Sequence, residues 1–234
     1  MNFKKLSAPS LKELFITEME QLILSGELKI GNRLPSEREL ASSMQVSRAV
    51  VNSGISELEK KGFLVVKPRI GTFVEDYRRY GTIDTLMSIM KYNGGSLNKG
   101  EIRSILEVRI VLDTLAATLT VDNASDEAIQ SLESYVNDLK NCKDPTTAAN
   151  LAFGFHHELG FISGNTLLPL FFVSFKNPVI SLWTRFCKEY NIQALYENTF
   201  GFYENLKKRD LQTTITFIQN SIHESIEGPR QIYI

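Results

Sequence analysis

The segment from Asn32 to Val74, NRLPSERELASSMQVSRAVVNSGISELEKKGFLVVKPRIGTFV, constrains the fold more than any other part of the chain. Ser36 stands three residues before Glu39, the spacing at which a hydroxyl and a carboxylate cap a helix start reciprocally. Leu40, Ala41 and Met44 then supply an apolar face. Gln45-Val46-Ser47 breaks the run, and Ser47 is a good N-cap for a second helix. That helix places Val51, Ile55 and Leu58 on one face at three- and four-residue spacing. Its opposite face carries Arg48, Ala49, Asn52 and Ser53, small or hydrogen-bonding side chains near the helix start. Gly62 follows Lys60-Lys61 and suits a left-handed stop after a basic last turn. Phe63 to Val66 and Thr72 to Val74 pair as two short strands around a basic tip containing Lys67, Pro68, Arg69 and Gly71. Two helices joined by a tight turn and followed by a hairpin predict a winged helix-turn-helix, whose second helix enters a DNA groove.

The residues before this segment fit the same unit. Ser10 and Glu13 form another capping-box pair. They open a helix to about Ser25, with Leu11, Leu14, Phe15, Met19, Leu22 and Ile23 on one face and Gly26 at its end. Four blocks in this order, LPSERELA, VSR, LEKKGFL and GTFV, resemble the GntR family of bacterial transcriptional regulators over nearly all of the first 75 residues. The resemblance implies that Arg38, Arg48 and the wing residues Arg69, Gly71 and Thr72 contact operator DNA; Ser47 and Asn52, at the start and on the outer face of the second helix, complete the candidate set. Family members often carry arginine where this chain has Asn52. Asparagine pairs bidentately with adenine whereas arginine favours guanine, so the departure predicts a changed base preference.

Composition sets limits on the rest. The chain has 234 residues, 43% of them hydrophobic, and a net charge of −1. Residues 1–75 carry 11 Lys and Arg against 9 Asp and Glu, and the remainder carries 15 against 18. So mild an asymmetry gives little global field for nucleic acid, and a DNA-binding reading must rest on the motif. No apolar run reaches the ~18 residues of a membrane span. The N-terminal MNFKKLSAPS lacks the apolar core of a secretory signal, which predicts a cytoplasmic protein. Cys142 and Cys187 lie far apart with no CxxC partner, the pattern of reduced structural thiols. The motifs GxSxG, HExxH and the P-loop are absent, and adjacent His156, His157 and Glu158 point different ways on a helix, so an enzyme is not expected.

The predicted domains are a winged helix-turn-helix over residues 1–75, a linker with a short helix over 76–98, and a helical effector-binding and dimerisation domain over 99–234. The glycines of Asn93-Gly94-Gly95 end the short helix. Beyond them the chain reads as an antiparallel all-α bundle of six or seven helices. A long helix spans about Glu101 to Val121, and others run from Ser125 to Lys140 and from Asp144 to Ile162. The stretch Thr166 to Tyr190 carries Pro169 near its start and Pro178 in its middle, where the helix is expected to kink or divide. Two more helices cover about Gln193 to Lys208 and Asp210 to Glu227. Arg109 shares the apolar face of the first long helix with Ile105 and Leu112. A guanidinium there needs an anion, either an internal carboxylate such as Asp113 or Glu158, or an acidic ligand.

The runs LEVRIVLDTLAATL and FHHELGFISGN resemble the effector-binding domain of the FadR branch of the GntR family. Many such domains hold a divalent metal through an Asp-x-x-x-His pair and two later histidines. Here His156 matches the first histidine, but Ala152 replaces the aspartate, and the later positions fall near Thr199 and Ser221, two residues from His223. Convergent imidazole and carboxylate ligands are therefore lacking, and no metal cofactor is expected. The fatty-acid-responsive regulator that gives the branch its name also lacks the metal and binds long-chain acyl-CoA. The blocks SLWTRF, GFYENL and HES are similar to it, which places Arg109, His156, Tyr203 and Ser225 around an effector. An acyl-CoA, another small carboxylate and no effector at all remain open. The partners implied are a palindromic double-stranded operator, a second copy of the chain, and a small anionic molecule.

Overall fold

The computed structural model describes residues 9–92 and 99–232, which divide into two compact units, Met1–Tyr92 and Asn93–Ile234. In the first unit, α1 (Leu11–Leu24), α2 (Glu37–Ser43) and α3 (Arg48–Lys60) precede an antiparallel hairpin of β1 (Leu64–Lys67) and β2 (Gly71–Val74). Both expected capping boxes form. Glu13 N donates to Ser10 Oγ at 3.2 Å and Ser10 N to Glu13 Oε2 at 2.7 Å; Glu39 N donates to Ser36 Oγ at 3.3 Å and Ser36 N to Glu39 Oε2 at 2.8 Å. Ser47 Oγ caps α3 by accepting from Val50 N at 3.3 Å. Phe15, Met19, Leu34, Leu40, Val51, Leu58, Phe63 and Val74 join the helices and the hairpin in one apolar core.

The wing is braced from behind. Leu34 N donates to Thr72 O, and Val74 N to Asn32 O, both at 2.9 Å, so the segment before α2 pairs with the outer side of β2. This fixes the hairpin against the reading helices. Its tip turns through positive φ at Arg69 (62°) and Gly71 (140°). The second of these suits glycine, which carries no Cβ to clash.

Where the sequence suggested a linker from residue 76, the first compact unit continues to Tyr92. Helix α4 (Tyr77–Tyr80) leads into α5 (Ile83–Tyr92), which packs on α1. A buried polar cluster holds it there. Lys61 Nζ lies 2.8 Å from Glu20 Oε1 and 3.3 Å from Ser88 Oγ, and Ser88 donates to Glu20 at 2.9 Å. Thr85 Oγ1 donates to the carbonyl of Lys61, the last position of α3's cap. Residues 93–98, including the expected glycine stop, lie outside the described residues.

The second unit is a helical bundle of α6 (Lys99–Asn123), α7 (Asp126–Ser131), α8 (Glu133–Asn141), α9 (Pro145–Ile162), α10 (Leu168–Ser174), α11 (Lys176–Lys207) and α12 (Leu211–Ile226). Helix α9 is central and packs on α6, α8, α10 and α11. Its buried Ala148, Ala149 and Ala152 permit close helix contact. Arg209 joins α11 to α12 and donates to Val121 O at 2.7 Å, Ala124 O at 2.6 Å and Asp126 Oδ1 at 2.7 Å. It thereby satisfies carbonyls at the end of α6, which have no partner within their own helix.

The division expected at Pro178 occurs just before it, at Phe175, between α10 and α11. Pro178 sits in the first turn of α11, where its missing N–H costs no helical hydrogen bond. A second break falls at Asn191, between the helices expected to end near Tyr190 and to begin near Gln193, with φ 66° and ψ 165°. Its Oδ1 accepts from Ala194 N at 3.0 Å and caps the second half of the helix. The predicted single helix from Ser125 to Lys140 is likewise divided, at Leu132, into α7 and α8.

Candidate nucleic-acid interface and bundle cavity

One open surface follows the outer face of α3, bordered by Arg48, Ala49, Asn52, Ser53, Ser56 and Lys60. A second lies between the start of α2 and the wing tip, bordered by Arg33, Arg38, Arg48, Lys67, Arg69, Gly71 and Thr72. Arg38, Ser47, Arg48, Asn52 and Arg69 are exposed, and Gly71 and Thr72 are half-buried at the wing. The structure thus brings all but Ser47 of the sequence-predicted residues to these two surfaces, and Ser47 starts the helix that divides them. Its hydroxyl accepts the capping bond from Val50, which leaves its proton for an outside acceptor. Five cations surround the second surface, and Glu39 beside them is occupied by its capping box. That arrangement fits a phosphate backbone, with the α3 face turned to base edges.

Sequence reasoning passed over Arg33 and Glu37. Arg33 packs under the wing, where a Cβ at Gly71 would come within 2.8 Å of Arg33 Nε. Glu37 borders both surfaces and accepts from Asn52 Nδ2 at 3.2 Å. The signal available for Glu37 was its position at the first residue of α2, facing the helix that follows.

In the bundle, Arg109 and Asp113 of α6 meet His156 of α9 at a cavity of about 50 Å³. Asp113 is 1% exposed and His156 5%. His156 Nδ1 lies 2.9 Å from Asp113 Oδ1, and Arg109 Nη2 lies 3.2 Å from His156 Nε2. A carboxylate only accepts and a guanidinium only donates, so the imidazole carries its proton on Nδ1 and offers the Nε2 lone pair to Arg109. Arg109 Nε is 3.1 Å from Asp113 Oδ2, an ion pair in which Oδ2 has no well-aligned hydrogen bond. The guanidinium also lies 4.4 Å over the Trp183 ring. Burial lowers the His156 pKa, and the Arg109 charge lowers it further against the pull of Asp113. Burial alone would raise the Asp113 pKa, but His156 and Arg109 bring it below the ordinary carboxylate value. The internal-pair reading of Arg109 therefore holds, with Asp113 as the partner. Arg109 also keeps 18% side-chain exposure, and its Nη1 has no partner among the described residues.

Asn198, Thr199, Ser221 and Ser225 add polar groups to an otherwise apolar lining. Ser225 thus lines the same cavity as Arg109 and His156. Tyr203 is not among the cavity-lining side chains: it is 1% exposed, its hydroxyl has no hydrogen-bond partner among the described residues, and Lys207 Nζ lies 5.7 Å from its ring. A metal does not fit the donor set. Ala152 offers no ligand, Thr199 donates back to Leu195 O at 2.9 Å, and the Nε2 lone pair of His156 is taken by a guanidinium. His223 is exposed and bonds Gln219 O through Nδ1 at 2.7 Å.

The first unit has the winged helix-turn-helix architecture found in DNA-binding domains, and the second is an all-helical domain with a charged cavity. Residues 15–74 match the gntR family of bacterial regulatory proteins, and residues 104–223 match the FCD domain. The chain belongs to the GntR family, in the branch that carries an FCD domain. It is 27% identical to the HTH-type transcriptional regulator LutR of Bacillus subtilis over 188 residues, 75% of this chain and 81% of that protein. It is 30% identical to the regulator Mce2R of Mycobacterium tuberculosis over 145 residues, 62% of this chain and 60% of that protein. The match to YcbG of Bacillus subtilis, at 27% identity and 58% of this chain, spans 54% of that protein. A solved structure described as Lar, which controls expression of the Listeria monocytogenes agr system, superposes with a TM-score of 0.62 at 13% identity, over 94% of this chain and 96% of that one; it shows the shared fold. The family and these relatives are described as transcriptional regulators, and the chain joins a domain of the gntR family to an FCD domain. Among the described residues no helix is long and apolar enough to cross a membrane.

Proposed function

We propose that the chain acts in the cytoplasm as a homodimer on a two-fold symmetric operator, and that a small carboxylate bound at Arg109 retunes its grip on DNA. The observation that carries this reading is the partly exposed guanidinium that lines the cavity, held by Asp113 and Trp183, with no hydrogen bond at its Nη1 edge among the described residues. A carboxylate meeting that edge gains charge-assisted hydrogen bonds, and the hydroxyl and amide side chains nearby supply orienting contacts. Size favours a compact ligand. A cavity of about 50 Å³ holds only a few water-sized groups, against the several hundred Å³ that drug-sized ligands fill. A long acyl chain would need the helices to part, so an acyl-CoA is the less favoured effector. Binding changes operator affinity only to the extent that the ligand prefers one arrangement of the dimer.

The test is a thermal-shift panel of two- to six-carbon mono- and dicarboxylates, free fatty acids and acyl-CoAs on the full chain. A true effector at 100 times its dissociation constant stabilises by about 2.7 kcal/mol. Stabilisation by a short carboxylate, absent in Arg109→Met, supports the reading. Stabilisation by acyl-CoA alone transfers it to the lipid effector, and no shift with any compound leaves a constitutive DNA binder.

A further inference from the structure

An acidic side chain stands in the middle of the DNA-reading face. Glu37 opens α2 and borders both open surfaces, beside Arg38 and Arg48. Unlike Glu39 it takes no part in the capping box, and it forms no ion pair among the described residues. A free carboxylate facing phosphate costs affinity, since each uncompensated negative charge opposes the counterion-release term that drives binding. Its partner is Asn52: Nδ2 donates to Glu37 Oε1 at 3.2 Å.

We infer that Glu37 is a positioning residue for base readout, which turns the Asn52 amide so that α3 reads adenine and rejects guanine. The two ends of an asparagine amide are close in shape and opposite in hydrogen bonding, so an unrestrained side chain presents either. A carboxylate accepts only, and it therefore selects the Nδ2 end for its own side. One Nδ2 proton goes to Glu37. The other proton and Oδ1 then share the free edge of the amide. That edge is the donor–acceptor pair that adenine requires at N7 and N6, whereas guanine presents two acceptors, N7 and O6, which oppose Oδ1. The carboxylate adds a second penalty against those acceptors. Selectivity is thus gained at some cost in raw affinity, as expected where a repulsive element enforces discrimination.

The experiment selects duplexes from a randomised pool with the full-length chain, then measures anisotropy on the selected sequence and its single-base variants. Discrimination of about 1–3 kcal/mol per bidentate contact corresponds to an adenine-over-guanine preference of roughly 5-fold or more at one position per half-site. Glu37→Ala is expected to reduce that preference below about 2-fold while affinity for unselected duplex stays level or rises, because a negative charge has been removed. Glu37→Lys presents a donor instead, turns the amide over, and loses the preference too, which keeps the test open if the alanine variant folds poorly. Glu37→Gln, which retains an accepting oxygen, rescues the preference. Asn52→Ala with Glu37→Ala gives the same selectivity as either alone, the non-additivity of two parts of one contact. The inference is overturned if both Glu37→Ala and Glu37→Lys keep the adenine preference, or if they weaken every sequence equally, as simple loss of the α2 start would.

Discussion

Asp113→Asn isolates the electrostatics of the sensor cavity with almost no change in shape. Asp113 is 1% exposed and is the only carboxylate paired with Arg109 among the described residues. The amide oxygen still accepts from His156 Nδ1, but its nitrogen turns a donor toward Arg109 Nε. The guanidinium is then left largely buried without a counterion. Breaking a buried pair on one side costs about 3–5 kcal/mol. Arg109 retains 18% exposure and its stacking on Trp183, so the lower end, about 3 kcal/mol, applies. For a unit of this size that is a fall in melting temperature of roughly 6–12 °C. Calorimetry of the full chain is the assay, with the winged unit as internal reference. Arg109→Met together with Asp113→Asn removes the charge conflict and is expected to recover at least half of the loss, since replacing a whole buried pair by apolar groups is often near neutral. A single variant that melts within about 2 °C of the parent, or a double variant worse than the single, refutes the reasoning.

Acidification is expected to destabilise the bundle in two stages. His156 is held below its ordinary value of 6.5, so as the pH falls through that value the unfolded chain takes up a proton that the folded one refuses. Asp113 is held below 3.8, and its contribution, complete above that value, is lost as the pH falls further through its folded pKa. Urea midpoints from pH 7.5 to 5 read the first stage, His156→Gln flattens it, and stability that rises on acidification would mean a cationic His156. In the winged unit, a Cβ at Gly54 would lie 2.3 Å from the Phe15 ring. Gly54→Ala should therefore destabilise by about 1–3 kcal/mol of overpacking, more than the ~1 kcal/mol gained in helix propensity; a higher melting temperature would contradict it. Asn52→Arg should move the preferred base from adenine to guanine in a selection assay. Arg69→Ala should instead weaken all duplexes alike and lower the salt slope by about 1, and an altered base preference would remove Arg69 from the phosphate contacts.

The first unit was readable in detail because its signals are local. Ser10 and Glu13, Ser36 and Glu39, and Ser47 are caps that act within three residues, and the structure places each where its spacing implies. The wing followed from a glycine stop and two short β-rich runs. What could not be read are contacts between residues far apart in sequence. Nothing local marks Lys61 as the partner of Glu20 and Ser88, so the short helix α5 was expected in a linker rather than in the first compact unit. The break before Pro178 was readable, since a proline is tolerated in a helix's first turn and not in its interior, but its place at Phe175, with no side-chain cap, was not. Arg109 was recognisable as a buried charge from its helical phase, and Asp113 was one of two named partners. The stacking of Trp183 on Arg109 and the exclusion of Tyr203 from the cavity needed the bundle itself.

The most direct test of the account is operator affinity measured with and without the stabilising carboxylate, in the parent and in Arg109→Met. The account predicts a 5- to 150-fold change in the parent, roughly the range of ordinary allosteric coupling, and none in the variant, which still binds DNA. An operator affinity that responds equally in both proteins, or in neither despite ligand binding, contradicts the link between the Arg109 cavity and the DNA-reading face.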